Sequence, residues 1–218
     1  MITPKAGMDM LERVMDSIAE RLSFRRRRKD IRLKVLAVFL YHLGLSYRQV
    51  RMAVSGLDSV SHESIRKWYH MVGLDIGNLE CKERRAIAID ETKIKIGDRW
   101  HYLWAAIDLD SKEILALYLS TGRACIDTMI FLKRVLRYCS NKPTFYVDGG
   151  PWYRWSLERL GIPFKHETFG NRAPIEQWFG QLKHRTKRFW NRFPHNSSPE
   201  NALVWISAFV FIYNSWRC

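Results

Sequence analysis

The sequence has only four cysteines, and no two of them form a C-x-x-C pair. Structural zinc sites and the disulfide frameworks of small secreted domains both require closely spaced, recurrent cysteines. The sequence therefore predicts neither, and we expect reduced thiols in a reducing compartment. The four are Cys81, Cys125, Cys139 and Cys218.

Long hydrophobic runs are also missing. The most apolar stretch, ALVWISAFVFIY, ends at Asn214 after 12 residues, whereas a membrane-spanning helix needs about 20. The first residues, MITPKAGMDM, have no apolar segment typical of a secretion signal. We therefore expect a cytoplasmic protein without membrane association, and a buried or partner-contacting helix near the C-terminus.

Acidic residues are scarce beside basic ones. The chain of 218 residues has 36 Lys and Arg against 22 Asp and Glu, a formal net charge of +14. Such an excess is typical of proteins that bind a polyanion, most often nucleic acid, although a merely basic protein is the alternative. The hydrophobic share of 47% excludes a disordered chain, and the length allows one domain or two small ones.

Residues 8–73 have helical periodicity. Ser46 and Ser61 are suitable N-caps, and the break SGLDSV separates two short predicted helices, as in a helix-turn-helix. The alternative is an ordinary three-helix unit with a solvated charged face. For DNA binding, the side chains that would face the major groove are His62, Glu63, Arg66 and Lys67, and the basic run is Arg25, Arg26, Arg27 and Arg28.

From residue 84 the pattern changes to strands, beginning with RAIAIDETKIKI, RWHYLWAAIDLD and EILALYLS. The predicted order β-β-β-α-β-α-β-α is that of the ribonuclease H-like fold, in which the fourth strand lies parallel beside a central first strand. We predict an α/β (α+β) protein: a helical helix-turn-helix domain at residues 1–80, then a ribonuclease H-like mixed-sheet domain flanked by helices at residues 81–218.

Three carboxylates stand out in the second half. Asp90 ends an apolar run, Asp148 ends TFYVD, and Glu176 lies near the start of a strongly periodic helix. The topology would bring the two aspartates together, because the ends of neighbouring parallel strands meet at one sheet edge. Converging carboxylates need a counter-charge, and oxygen-only ligands suit Mg²⁺ or Mn²⁺. Each aspartate alone is also an ordinary turn former.

The helix with Glu176 also carries Lys183 and Lys187 along one edge of its apolar stripe. Glu176 and Lys183 are two turns apart, roughly 10 Å, and point the same way. This spacing is compatible with a metal beside a phosphate chain. The alternative is a helix N-terminal acid favoured by the macrodipole, with solvated lysines.

The segments IDETKIKIGDRWHYLWAAIDLDSKEILALYLS and NRAPIEQWFGQLKHRTKR resemble the catalytic core of DDE transposases, most closely the insertion sequence six family. The resemblance extends over nearly the whole chain. It implies an acidic triad of Asp90, Asp148 and Glu176 and a basic residue at Lys183. One departure is the spacer of 27 residues between Asp148 and Glu176, which is shorter than usual in that family.

The resemblance implies a DNA transposase of a prokaryotic cell that recognises terminal inverted repeats and exposes 3′-hydroxyls by hydrolysis. It implies joining to target DNA by transesterification, with two Mg²⁺ or Mn²⁺ ions at the triad. The expected partners are double-stranded DNA, as element ends and target, and further copies of the chain in a homodimer or higher oligomer. The alternatives are a ribonuclease H-like nuclease without strand transfer and a catalytically silent, transposase-derived DNA-binding protein.

Overall fold

The structure is a computed structural model, and it divides the chain into two compact units. One unit comprises the residues up to Asp75 together with Val204–Cys218, and the other comprises Ile76–Leu203. The residues described are 10–23, 29–74, 76, 79–189, 192–193 and 197–217. The predicted phosphate-contacting run, Arg25 to Arg28, lies outside them.

The first unit begins with four helices whose ends follow local sequence signals. Ser46 accepts a hydrogen bond from the backbone N–H of Gln49, whose side chain accepts one from the Ser46 backbone N–H, and Ser61 caps the fourth helix. Both predicted N-caps are therefore confirmed. The four helices are α1 (Met10–Ser23), α2 (Ile31–His42), α3 (Tyr47–Ala53) and α4 (His62–Val72).

The C-terminal part of the last helix, α8 (Pro199–Ser215), completes the core of this unit. The Trp205 indole N–H donates to the Tyr41 hydroxyl at 2.8 Å, and the Tyr69 ring lies against both aromatic residues. The apolar run near the C-terminus is thus a buried helix. The division at residue 80 into DNA-binding and catalytic domains stays a prediction, and the four N-terminal helices share their core with Val204–Cys218.

The second unit contains the predicted mixed sheet. Its strand order is β3-β2-β1-β4-β5, with β1 antiparallel to β2 and parallel to β4. This is the ribonuclease H-like arrangement predicted from the order of elements. The elements are β1 (Ala86–Ile96), β2 (Arg99–Asp108), β3 (Ile114–Ser120), α5 (Cys125–Leu136), β4 (Thr144–Val147), α6 (Pro151–Leu160), β5 (Phe164–His166), α7 (Ala173–Thr186) and β6 (Arg192–Phe193), which pairs with β1.

Alternate residues of β1 point to opposite faces of the sheet. Ile87 and Ile89 join Trp104 in a core that includes residues of α5 and α6. Helix α7 contacts β1 and β2, and the predicted stripe on α7 is buried at its first four positions, Ile175, Trp178, Phe179 and Leu182. The central strand therefore has helices to position side chains on either face.

No helix in the described parts of the chain has both the length and the apolar character needed to cross a lipid bilayer.

A substitution at Gly73, which follows α4, can test the packing of the first unit. A Cβ atom on this residue would lie 2.0 Å from the Val204 carbonyl oxygen and 2.7 Å from the Ala208 nitrogen. Because backbone atoms cannot yield as a flexible side chain can, we expect Gly73→Ala to lower the free energy of unfolding by about 1–3 kcal/mol. Urea unfolding measures this change.

Gly56→Ala is the matched control, because a Cβ there meets no atom within 4 Å. It should leave the free energy of unfolding within about 0.5 kcal/mol of wild type. Equal stability of the two variants would contradict the close approach of α8 to Gly73.

Candidate active site

Asp90 lies on β1, and Asp148 directly follows the end of the neighbouring parallel strand β4. Ala88 of β1 pairs with Tyr146 of β4, and each aspartate follows two residues later. Because paired strands are about 4.8 Å apart, the two residues occupy the same sheet edge. The structure thus brings together the two aspartates that the topology predicted as neighbours.

The Asp90 carboxyl is largely buried, with 16% of its side chain exposed. Burial, followed by the negative charges of Glu91 and Asp148, raises the pKa of Asp90 to about 6, while Arg172 opposes the shift. The carboxylate therefore needs a counter-charge at neutral pH.

Arg172 supplies a positive charge to two members of the predicted triad. Its guanidinium lies 3.1 Å from Asp90 Oδ1 and 3.5 Å from Glu176 Oε1, and only 7% of its side chain is exposed. Its buried Nε has no hydrogen-bond partner among the described residues. Arg172 was not predicted as a site residue, although its position four residues before Glu176 is the spacing of a helical ion pair.

Glu176 lies in the first turn of α7 and keeps 45% of its side chain exposed. It is connected to Asp90 only through Arg172 in the described contacts. No group of three or more His, Cys, Asp or Glu side chains within the described ranges is clustered closely enough to hold a metal ion. The role of Glu176 as third ligand therefore stays a prediction, and so does the alternative of a helix N-terminal acid.

Asp148 has a turn-forming contact as well as its place beside Asp90. Its Oδ1 accepts a hydrogen bond of 2.9 Å from the Gly150 N–H, just before α6 begins. Glu167 is level with Asp148 on the other side of β4, since Val147 pairs with His166. The Glu167 carboxylate accepts hydrogen bonds from the Asn171 backbone and side chain, at 3.1 and 3.0 Å.

Glu91 occupies the opposite face of β1 from Asp90 and was not identified from the sequence. Its side chain is 3% exposed, accepts a hydrogen bond from the Tyr153 hydroxyl and lies 3.3 Å from an Arg123 nitrogen. Burial raises the pKa of Glu91, and these two donors oppose the shift. Glu91 is thus held by protein donors, and it adds negative charge next to Asp90.

Two predicted phosphate contacts lie toward the C-terminal end of the helix that carries Glu176. Lys183 is in the last turn of α7, and Lys187 follows in a short 3-10 helix. Both residues are exposed. Exposure allows a phosphate to reach them, but their DNA contacts stay predictions.

In the first unit, two of the four predicted groove-facing residues pair with each other. Arg66 donates to Glu63 through Nε at 2.9 Å and through a terminal nitrogen at 2.6 Å. His62 and Lys67 are exposed on the same helix, α4. The helix-turn-helix role of α3 and α4 and the groove contacts stay predictions, and a base contact by Arg66 would have to replace its pairing with Glu63.

Comparison with known proteins identifies the family. A family model described as a DDE domain matches residues 84–216, more than half of the chain. The uncharacterized protein MJ0017 of Methanocaldococcus jannaschii is 47% identical over 204 residues, covering 94% of this chain and 95% of that protein. The transposase for insertion sequence element IS257 in transposon Tn4003 of Staphylococcus aureus is 25% identical over 142 residues, covering 63% of this chain and 62% of that protein.

Among solved structures, the HTLV-2 integrase catalytic core domain in complex with magnesium, in its trimeric form, is 15% identical with a TM-score of 0.44. The match covers 57% of this chain and 82% of that chain. The chain belongs to the DDE transposases, of the insertion sequence six type.

The buried carboxyl of Asp90 predicts a pH dependence of stability. Its pKa is about 6 in the folded chain, above the usual value of 3.8. The folded chain therefore binds a proton at this carboxyl more tightly than the unfolded chain does. This contribution to stability is full below about pH 4 and is lost as pH rises through about 6, by up to about 3 kcal/mol. Asp90→Asn should remove that loss.

Urea unfolding with a metal chelator present, at about pH 4 and about pH 7.5, measures the effect. The free energy of unfolding of Asp90→Asn relative to wild type should increase between the two values. Asp110→Asn is the control with opposite sign, because Arg85 lowers the pKa of Asp110. A relative stability of Asp90→Asn that stays constant or falls with rising pH would contradict the raised pKa of the buried Asp90 carboxyl.

Proposed function

We propose that this chain is a DNA transposase that binds the terminal inverted repeats of an insertion sequence. It hydrolyses the DNA to expose 3′-hydroxyl ends and joins these ends to target DNA by transesterification, without a covalent enzyme intermediate. The observation that carries the proposal is the placement of Asp90 on β1 beside Asp148, which directly follows the adjacent parallel strand β4. The DDE family membership and the insertion sequence element named for the Staphylococcus aureus relative support it.

The donor set at this sheet edge fits Mg²⁺ or Mn²⁺. Asp90 and Asp148 offer carboxylate oxygens, which are the ligands that these ions prefer, and we propose Glu176 as the third ligand. When bound, two such ions would activate the attacking oxygen and stabilise the leaving oxygen of phosphoryl transfer. The buried Arg172 guanidinium, which lies 3.1 Å from Asp90 and 3.5 Å from Glu176, supports the fit, because it places positive charge beside both carboxylates.

The residues around the carboxylates have separate proposed tasks. Lys183 and Lys187 contact the phosphates of the DNA end, because both are exposed beyond Glu176 on the same segment. Arg172 keeps Asp90 and Glu176 in place before substrate binds. These positions let the chain orient a phosphodiester while the carboxylates compensate the metal charge.

The first unit is proposed to read the element ends. The net charge of +14 favours duplex DNA as partner, and His62, Glu63, Arg66 and Lys67 of α4 are proposed to face the major groove. The basic run Arg25 to Arg28 is proposed to contact phosphates. Two or more copies of the chain would hold two ends together in the cytoplasm of a prokaryotic cell.

A nuclease without strand transfer and a silent DNA-binding protein are the competing functions. Both aspartates are present at the sheet edge, which disfavours the silent protein. The α-helical unit that precedes the sheet disfavours a bare nuclease. Joining of cleaved ends to a second DNA molecule distinguishes the transposase from both.

Substitution of the carboxylates tests the catalytic assignment. Asp90→Asn, Asp148→Asn and Glu176→Gln should each abolish Mg²⁺-dependent cleavage and joining of DNA with the element's own ends, while duplex affinity stays near wild type. The changes preserve shape but remove charge from the proposed metal ligands. Gel analysis of labelled duplex measures both steps, and EDTA should stop both.

Glu158→Gln is the matched control, because Glu158 is exposed and paired with Arg154 at 2.9 Å. It should keep activity close to wild type. An aspartate variant that retains more than about a tenth of wild-type activity, a change of only about 1.4 kcal/mol, would remove that residue from the ligand set. Near wild-type cleavage by Glu176→Gln would make Glu167, level with Asp148, the next candidate.

The proposed recognition of DNA by α4 is tested in the full chain. An N-terminal fragment would lack Val204–Cys218, which belongs to the same compact unit as the N-terminal helices. Arg66→Gln should reduce the preference for end-containing over random duplex, as expected for a base contact. Neutralising Arg25 to Arg28 should weaken binding to both duplexes alike and flatten the salt dependence. Equal affinities of the wild-type chain for both duplexes would contradict sequence reading by this chain.

A further inference from the structure

The β1–β2 hairpin has a row of cationic and aromatic side chains on one face. Lys93 pairs with Tyr102 and Lys95 pairs with Trp100 in the antiparallel register. Directly paired residues share a face, and residues two apart on a strand share it too. We call these four residues, together with Arg123, the hairpin stripe.

The stripe is held by cation–π contacts. The Nζ atoms of Lys93 and Lys95 each lie 5.7 Å from the ring centroid of the paired Tyr102 and Trp100. The Arg123 guanidinium lies 4.8 Å from the Tyr102 ring and 4.4 Å from the Trp152 ring. The lysines of β1 and the aromatic rings of β2 therefore lie side by side along the hairpin.

Packing within the protein does not explain why an aromatic side chain is exposed at the end of the stripe farthest from Glu91. Trp100 is 57% exposed, although an indole of this size normally buries most of its surface. Neither Lys93 nor Lys95 forms an ion pair with a carboxylate among the described residues. Arg99 adds a further exposed cation at the hairpin end, where Asp98 is the acidic residue of the turn.

The stripe lies near the proposed active site along β1, but on the face of the strand opposite to Asp90. Glu91 and Trp104 are the next pair on the same face, and Glu91 is adjacent in sequence to Asp90. A rise of about 3.3 Å per residue places Lys93 and Lys95 roughly 10 and 17 Å from Asp90 along β1. A strand of DNA that extends from the carboxylates and passes around the hairpin to its other face would meet the stripe within several nucleotides.

The charges and aromatic rings of the stripe indicate which class of molecule it binds. Another copy of this chain is disfavoured, because each copy carries a net charge of +14. In duplex DNA the base faces are stacked inside and cannot reach a protein ring. Unpaired bases stack on exposed aromatic rings while cations contact the intervening phosphates, and this combination is the one found here.

We propose that the hairpin stripe binds an unpaired stretch of DNA strand on the face of β1 opposite to Asp90, with a base stacked on Trp100 and phosphates at Lys93 and Lys95. This inference rests on the proposed function, since it supposes a DNA substrate at Asp90 and Asp148. It adds a second kind of DNA contact to the duplex contacts of α4 and α7. The substrate class is single-stranded DNA, recognised without base sequence.

The test measures binding of fluorescent oligothymidylate of about 12 nucleotides to the full chain in EDTA, by fluorescence anisotropy. Trp100→Ala should weaken binding about fivefold or more, as expected for loss of one stacked base. Lys93→Gln combined with Lys95→Gln should flatten the slope of log affinity against log salt by about 1.4, because each phosphate contact contributes about 0.7 for a single strand. Thermal unfolding verifies that each variant is folded.

Two matched controls use residues outside the stripe. Trp155 is 52% exposed on α6, and Lys133 is exposed on α5. Trp155→Ala and Lys133→Gln should leave oligothymidylate affinity and the salt slope unchanged. An equal loss in the Trp155 variant would mean nonspecific stacking and would overturn the proposal.

The outcome separates this inference from the proposed function. Unchanged oligothymidylate affinity in the Trp100 and lysine variants would overturn the proposal that the hairpin stripe binds single-stranded DNA. This holds even where the wild-type chain cleaves duplex ends with Mg²⁺. Loss of oligothymidylate affinity confined to these variants would support binding of single-stranded DNA by the hairpin stripe, even where no cleavage is observed. Variants that weaken duplex and oligothymidylate binding equally would also overturn it, because the proposed contact is to unpaired bases.

Discussion

The ion pairs of Arg172 with Asp90 and Glu176 are the interaction on which the site depends. Asp90 and Asp148 are brought level by strand pairing, and the buried Asp90 carboxyl is costly to ionise there. The guanidinium lies between Asp90 and Glu176 and compensates their charge in the absence of metal. We propose that divalent metal shares or takes over this compensation when DNA binds.

The central strand β1 connects the two sides of the sheet. Asp90 points toward Arg172, while its neighbour Glu91 points to the other face and is held by Tyr153 and Arg123. Arg123 in turn packs against the ring of Tyr102, in the hairpin stripe, and against the ring of Trp152. We propose that the hairpin binds a DNA strand on the face of β1 opposite to Asp90. The cost of burying the two adjacent acids Asp90 and Glu91 is offset by separate arginines.

Much of this fold is predictable because its signals are local. The caps at Ser46 and Ser61 and the alternating strands that precede α5 are encoded within a few residues, and the strand order follows from the sequence of elements. The partners of Asp90 and Glu91 were not predictable, because Arg172 and Tyr153 are distant in sequence and the face of each β1 residue was unknown. The packing of α8 with the N-terminal helices was missed for the same reason.

The most direct measurement is a crystal structure of the chain with Mn²⁺ and a duplex that carries the element's ends, with anomalous data at the manganese edge. The account predicts anomalous density within about 2.5 Å of carboxylate oxygens of both Asp90 and Asp148. Metal density that contacts neither aspartate, or bound DNA with no metal at this sheet edge, would contradict it.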